Sequence, residues 1–139
     1  ALLGHDAVAF AGAIGQPDAH SGELPCTYVE LVEGADISEA ALLEYAHNNI
    51  SEPGAKPKYL EVLDELPKTA VGKVFKPDLR KRAITRVYNE TFEAKQMDAK
   101  VVSVEDDKKL GLTAKINGNA SDEEIRAALQ DFVGAWVKA

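Results

Sequence analysis

Turn-forming clusters cut this chain into short segments, and that punctuation constrains the fold more than any other feature of the sequence. Gly15-Gln16-Pro17-Asp18, Glu33-Gly34-Ala35-Asp36, Pro53-Gly54 and Asp106-Asp107-Lys108-Lys109 each break an apolar pattern, so the elements between them are short. The small apolar run Ala7 to Ile14 closes on the first cluster and predicts a buried strand rather than a helix. Leu24 to Val32 alternates as a second strand, and Tyr59 to Leu63 forms a third. Between these two, Ser38 is placed to cap a helix reaching about Asn49, with Leu42, Leu43 and Ala46 toward a core and Pro53-Gly54 ending it. Leu66 to Lys73 is too polar and too broken for regular structure. Pro77 then opens a second helix to about Ala94, with Leu79, Ala83, Val87 and Thr91 along one side.

The C-terminal third follows the same grammar. Lys100 to Val104 and Leu112 to Ile116 read as strands of a hairpin joined through Asp106-Asp107-Lys108-Lys109. Ser121 and Glu124 form a capping box, and Ile125, Ala128, Leu129, Phe132, Val133, Trp136 and Val137 mark one apolar stripe. That stripe predicts a last helix of about three to four turns packed on the core. The order ββαβα followed by ββα gives an α+β fold, a small mixed β-sheet with packed helices.

Composition narrows the function classes. The 139 residues are 45% hydrophobic and 28% charged, ordinary for one globular domain with a real core. No run approaches the ~18 apolar residues of a membrane span. The net charge of -7 argues against a general grip on nucleic acid or anionic lipid. The charge is unevenly spread: residues 1–50 hold eight acids and no Lys or Arg, whereas residues 51–100 hold eleven bases against eight acids. A basic stretch from Lys56 to Arg86 inside an acidic chain suits either a solvated face or a localised anion such as a nucleotide phosphate.

The single cysteine, Cys26, has no disulfide partner, and His5, His20 and His47 share no metal-ligand spacing with it. A reducing, cytoplasmic setting is expected, with the Asn-x-Ser/Thr triplets at Asn49, Asn89 and Asn119 as chance matches. The opening Ala1-Leu2-Leu3, in mid-pattern and without Met, is what a piece of a longer chain would present.

Chemistry concentrates in Leu66-Pro67-Lys68-Thr69-Ala70-Val71-Gly72-Lys73-Val74. Its ending mimics a phosphate-binding P-loop, but Pro67 stands where that motif needs Gly, and Val74 where it needs Ser or Thr. What remains is a stiff loop in which Pro67 fixes one backbone angle, Gly72 permits a tight turn and Lys73 projects a compact cation. Local chemistry alone favours an ordinary exposed lysine at 73, and the base rate puts Lys68 in solvent too.

The run Val62-Leu63-Asp64-Glu65-Leu66-Pro67-Lys68-Thr69-Ala70-Val71-Gly72-Lys73, followed by Lys76-Pro77-Asp78-Leu79-Arg80, resembles the closing signature of adenylate-forming enzymes, in particular acyl-CoA synthetases. Val8 to Gly15, Gln16-Pro17-Asp18, Gly22-Glu23 and Pro57-Lys58 fall in that family's order and approximate spacing. The resemblance implies a small C-terminal lid over residues 1–94, paired in a parent chain with a large N-terminal AMP-binding domain. There a small-molecule carboxylate and ATP, with Mg2+ expected, give an acyl-adenylate and pyrophosphate. Coenzyme A then takes the acyl group.

In this correspondence Lys73 matches the catalytic lysine, while Pro67, Lys68, Thr69 and Gly72 support its loop. Lys76, Arg80, Arg82 and Arg86 become candidates for coenzyme A phosphates, against the alternative of a solvated helix face. No metal ligands and no ligand bound by this chain alone are expected. The resemblance also implies a lysine acetyltransferase and deacetylase acting at Lys73, since acetylation deletes its charge. Residues 95–139 exceed the usual domain and read as an appended ββα extension with a stabilising or homodimer-forming role. An adenylation domain that loads a carrier protein, or a non-catalytic α+β binding module, are the alternatives.

Overall fold

In a computed structural model, which describes residues 2–50 and 56–139, the chain divides into two compact units. One comprises Ala1–Gly15 with Leu24–Leu79, the other Gln16–Glu23 with Arg80–Ala139. The elements are a 3-10 turn at Leu2–Gly4, then β1 (Val8–Asp18), β2 (Gly22–Leu31), α1 (Glu39–Asn49), β3 (Tyr59–Leu63), α2 (Lys76–Ala94), β4 (Lys100–Asp107), β5 (Gly111–Asn117), α3 (Asp122–Leu129) and β6 (Ala135–Lys138). The α+β class is as expected, but the single mixed sheet is not. The strands form two separate three-stranded sheets, β1-β2-β3 and β4-β5-β6.

In the first unit β2 is the central strand, and Cys26 to Val29 are buried along it. It pairs in parallel with β3 from Cys26↔Tyr59 to Glu30↔Leu63. A parallel pair needs a crossover, and α1 supplies it. The Ser38 hydroxyl caps α1 by accepting from the Ala41 N–H at 3.1 Å, and the helix lays Leu42 and Ala46, both fully buried, against Val8, Val29 and Leu60. The Pro53-Gly54 stop expected for α1 lies outside the described residues; within them, Ile50 caps the helix.

Gly15-Gln16-Pro17-Asp18 is not the turn that the sequence suggested, because β1 runs through it to Asp18. β1 is an edge strand of its sheet, the position in which a proline such as Pro17 is tolerated. The turn comes next: the Asp18 carboxylate accepts from the His20 N–H, the Ser21 N–H and the Ser21 hydroxyl, and Gly22 takes φ +86°. These donors, the Ser21 backbone foremost, hold the Asp18 carboxyl below its usual range.

The second unit repeats the strand-strand-helix-strand succession. β4 and β5 form the expected antiparallel hairpin, although β4 continues to Asp107, whose carboxylate accepts from the Lys109 and Leu110 N–H groups in the turn. The capping box at Ser121 and Glu124 is present in both directions. The long apolar helix after it is not. α3 stops at Leu129, Gly134 intervenes, and Ala135–Lys138 return as β6, parallel to β5 from Thr113↔Ala135 to Ile116↔Lys138. Trp136 and Val137 satisfy a sheet edge there rather than a helix stripe, and Val133 is 86% exposed. A Cβ at Gly134 would collide with the Tyr88 hydroxyl, which favours glycine at that position before β6. Tyr88 and Phe92 of α2 pack with Val101, Ala114, Ile116, Ile125 and Leu129 in this unit's core.

Candidate functional site

The segment expected to lack regular structure holds no strand of its own, and it closes as a tight, hairpin-like turn. Lys68 and Val74 form an antiparallel bridge. The Phe75 N–H donates to the Pro67 carbonyl at 2.7 Å, and the Thr69 N–H to the Lys73 carbonyl at 2.7 Å. Across the tip, the Gly72 N–H donates to the Thr69 carbonyl at 2.9 Å, and the Lys73 N–H donates to Thr69 Oγ1 at 3.2 Å. Thr69 therefore fixes both backbone groups of Lys73. Pro67, Lys68, Thr69, Gly72 and Lys73 are brought together in one ordered turn.

Gly72 sits at φ +83° with open space where a Cβ would project, so its requirement is conformational rather than steric. Gly72→Ala is expected to cost about 1–2 kcal/mol of stability from the left-handed backbone alone. Asn at this position, a residue that tolerates the region, should cost less. Urea unfolding midpoints of the two variants measure the difference.

The hairpin's base is seated by residues that sequence reasoning did not single out. Gly12 of β1 is buried, and a Cβ built there would lie 2.6 Å from Leu79 Cδ1 and 2.9 Å from Val74 Cγ1. Only a glycine lets both side chains settle on the strand. Leu66, 1% exposed, anchors the segment entering the turn, and its N–H donates to Glu30 Oε1 at 2.9 Å.

Lys68 is not solvent-facing, contrary to expectation. Its Nζ donates to Glu30 Oε1 at 2.7 Å and to the Leu66 carbonyl at 3.3 Å, and lies 4.4 Å from the centroid of the Phe10 ring. Side-chain exposure is 20% for Lys68 and 17% for Glu30. The Lys68 ammonium first and the Leu66 N–H second hold the Glu30 carboxyl below its ordinary value, against the opposing effect of burial. A partly buried, charge-assisted pair of this kind is worth more than a surface ion pair.

Lys73 is the opposite case. Its side chain is exposed, and its ammonium has no hydrogen-bond or ion-pair partner among the described residues. Two lysines on one hairpin thus have different occupations: one is tied down, and the other is presented.

The remaining basic candidates belong to α2 and not to the hairpin. Lys76 is exposed in the first turn of α2. Arg80, Arg82 and Arg86 fall in the second unit. Arg80 and Arg82 are exposed, while the Arg86 guanidinium donates to Gln16 Oε1 and, at 3.1 Å, to Glu90 Oε1. Arg86 already has acceptors, which weakens its candidacy for a phosphate. Among the described residues, no group of three or more His, Cys, Asp or Glu could hold a metal ion, and no helix is long and apolar enough to cross a membrane.

Comparison with known proteins places this geometry. The family model described as the AMP-binding enzyme C-terminal domain matches residues 1–73. Marinolic acid--CoA ligase of a Pseudoalteromonas species is 39% identical over 129 residues, 91% of this chain and 19% of the ligase. The peroxisomal trans-cinnamate:CoA ligase of Petunia hybrida is 37% identical over 84 residues, 60% of this chain and 14% of the ligase. Among solved structures, the anthranilate CoA ligase AuaEII in complex with anthranoyl-AMP superposes with a TM-score of 0.55 at 29% identity, covering 62% of this chain and 17% of that one. Apo MatB from Rhodopseudomonas palustris gives 0.52 at 32% identity over 57% of this chain and 16% of its own. The chain spans less than a fifth of the length of each of these proteins.

Proposed function

We propose that this chain, which belongs to the AMP-binding enzyme C-terminal domain family, is the mobile lid of an ATP-dependent acyl-CoA ligase. The observation that carries this reading is the Lys73 ammonium, unpartnered among the described residues and held out by an ordered turn at the end of the family match.

In the first half-reaction a carboxylate oxygen attacks the α-phosphorus of ATP. A new P–O bond forms to the acyl oxygen, the bond to the β-phosphate oxygen breaks, and pyrophosphate leaves. Negative charge gathers on non-bridging oxygens that a compact cation can stabilise, and the Lys73 ammonium is that cation. Its contribution is electrostatic and positional, with no covalent step at Nζ. In the second half-reaction the thiolate sulfur of coenzyme A adds to the acyl carbonyl and AMP departs, a step with no need of the same cation. A lid that brings Lys73 in for the first step and removes it for the second reconciles the two demands.

Residues 1–94 form this lid, and residues 95–139 a stabilising extension. Mg2+ accompanying ATP would be held chiefly by the nucleotide phosphates and the large N-terminal domain; among the described residues no group of three or more His, Cys, Asp or Glu could hold a metal ion. Lys76 and Arg80, exposed on α2, are better placed than Arg86 to meet coenzyme A phosphates. An exposed Lys73 also suits enzymatic acetylation, which would remove the adenylating charge, and the single buried thiol of Cys26 suits a cytoplasmic setting.

The parent enzyme, given a panel of carboxylic acids, should release pyrophosphate only with its own acid and then form thioester when coenzyme A is added. Adenylation that coenzyme A cannot discharge would move the reading to carrier-protein loading. No adenylation of any acid would remove it.

A further inference from the structure

We infer that the Glu30–Lys68 pair, stacked on Phe10, positions Lys73 for adenylation. This inference rests on the function proposed above and assigns residues to it that lie outside the catalytic contact.

The argument begins with what an exposed lysine needs. A four-carbon stem on a surface turn samples many rotamers, and a stabilising charge displaced by an ångström loses much of its effect on a transition state. The stem cannot be frozen, since its ammonium must stay available, so the backbone beneath it has to be fixed instead. Hydrogen bonds within the turn hold its internal shape through Thr69, but they do not hold the turn to the body of the unit.

Glu30 does that. One carboxylate oxygen, Oε1, accepts from the Leu66 N–H at 2.9 Å and from Lys68 Nζ at 2.7 Å. It thereby clamps both the backbone entering the hairpin and the side chain of Lys68 in its first arm. Phe10 on β1 adds a second hold, its ring centroid 4.4 Å from the same ammonium. Lys68 is thus tied to two strands of the sheet, and Thr69, its neighbour, bonds directly to both backbone groups of Lys73. The Glu65 contact at 4.0 Å, from a side chain 81% exposed, adds little.

The test uses the parent enzyme with Lys68→Met, which keeps an unbranched apolar stem over Phe10 and removes the charge, and Lys68→Arg, which can renew both the carboxylate pair and the ring contact. Lys68→Met is expected to lower kcat for pyrophosphate release about tenfold to a hundredfold, with the KM for the carboxylate within about twofold and thioester formation from supplied acyl-adenylate unchanged. Lys68→Arg should recover most of the loss. Glu30→Gln, which retains an acceptor for the Leu66 N–H, is the second variant should Lys68→Met fail to fold, and should show the same selective fall in kcat at smaller size. Normal adenylation by these variants beside an inactive Lys73→Ala would overturn the positioning role and leave the proposed function standing. Equal loss of both half-reactions would also overturn it, because a purely structural brace has no reason to distinguish them. Normal adenylation by Lys73→Ala would instead remove the function itself.

Discussion

Lys73→Ala in the parent enzyme is expected to slow carboxylate-dependent pyrophosphate release by a few hundredfold or more, while thioester formation from supplied acyl-adenylate continues at close to its normal rate. The size follows from the type of interaction. A preorganised charge aimed at oxygens that become more negative in the transition state contributes about 3–4 kcal/mol, and each 1.36 kcal/mol is a factor of ten in rate. The selectivity follows from the geometry. Nothing in the hairpin ties the Lys73 ammonium to the fold, so its loss should leave folding unchanged, and a matching melting temperature separates lost chemistry from lost structure. Lys73→Arg is not an equivalent substitution, since a planar fork replaces a point charge at the end of a different stem, and partial recovery at most is expected. If Lys73→Ala depressed both half-reactions equally, the lysine would belong to the lid's architecture and not to its first chemical step.

The hairpin's identity was legible in the sequence because its residues act through backbone properties that are local. Pro67, Thr69 and Gly72 shape a turn by their own torsions and hydroxyl, and no distant partner is needed to recognise them. The brace was not legible. Glu30 and Lys68 lie 38 positions apart, and their pairing depends on β2 and β3 lying parallel with Glu30 opposite Leu63. A lone acid following the buried run Cys26 to Val29 was the available hint. Gly12 was hidden for the same reason, since what forbids a side chain there is the arrival of Val74 and Leu79.

The C-terminal stripe failed differently. Ile125, Leu129, Phe132, Trp136 and Val137 satisfy helical spacing, but periodicity alone does not separate one long helix from a helix followed by a short strand. Gly134, and the β-favouring pair Trp136-Val137 behind it, were the signals that should have outweighed the period. A β5 edge left unpaired would expose its backbone groups, and β6 supplies their partners.

That correction carries the second large expectation. Phe92→Ala should destabilise the chain by about 3–5 kcal/mol, the usual cost of emptying a fully buried phenyl site, because Phe92 is 0% exposed in the core formed with Val101, Ile116, Ile125 and Leu129. Val133→Ala should cost within about 0.5 kcal/mol, as expected for an exposed position, since Val133 is 86% exposed between α3 and β6. The contrast matters because a continuous helix would turn Val133 inward and make the two substitutions comparable. Urea unfolding of the 139-residue chain reads both: Phe92→Ala lowers the midpoint with an unchanged slope, and Val133→Ala leaves the curve where it was. A Val133→Ala loss approaching that of Phe92→Ala would restore the long helix and abolish β6, and with it the second sheet's parallel pair.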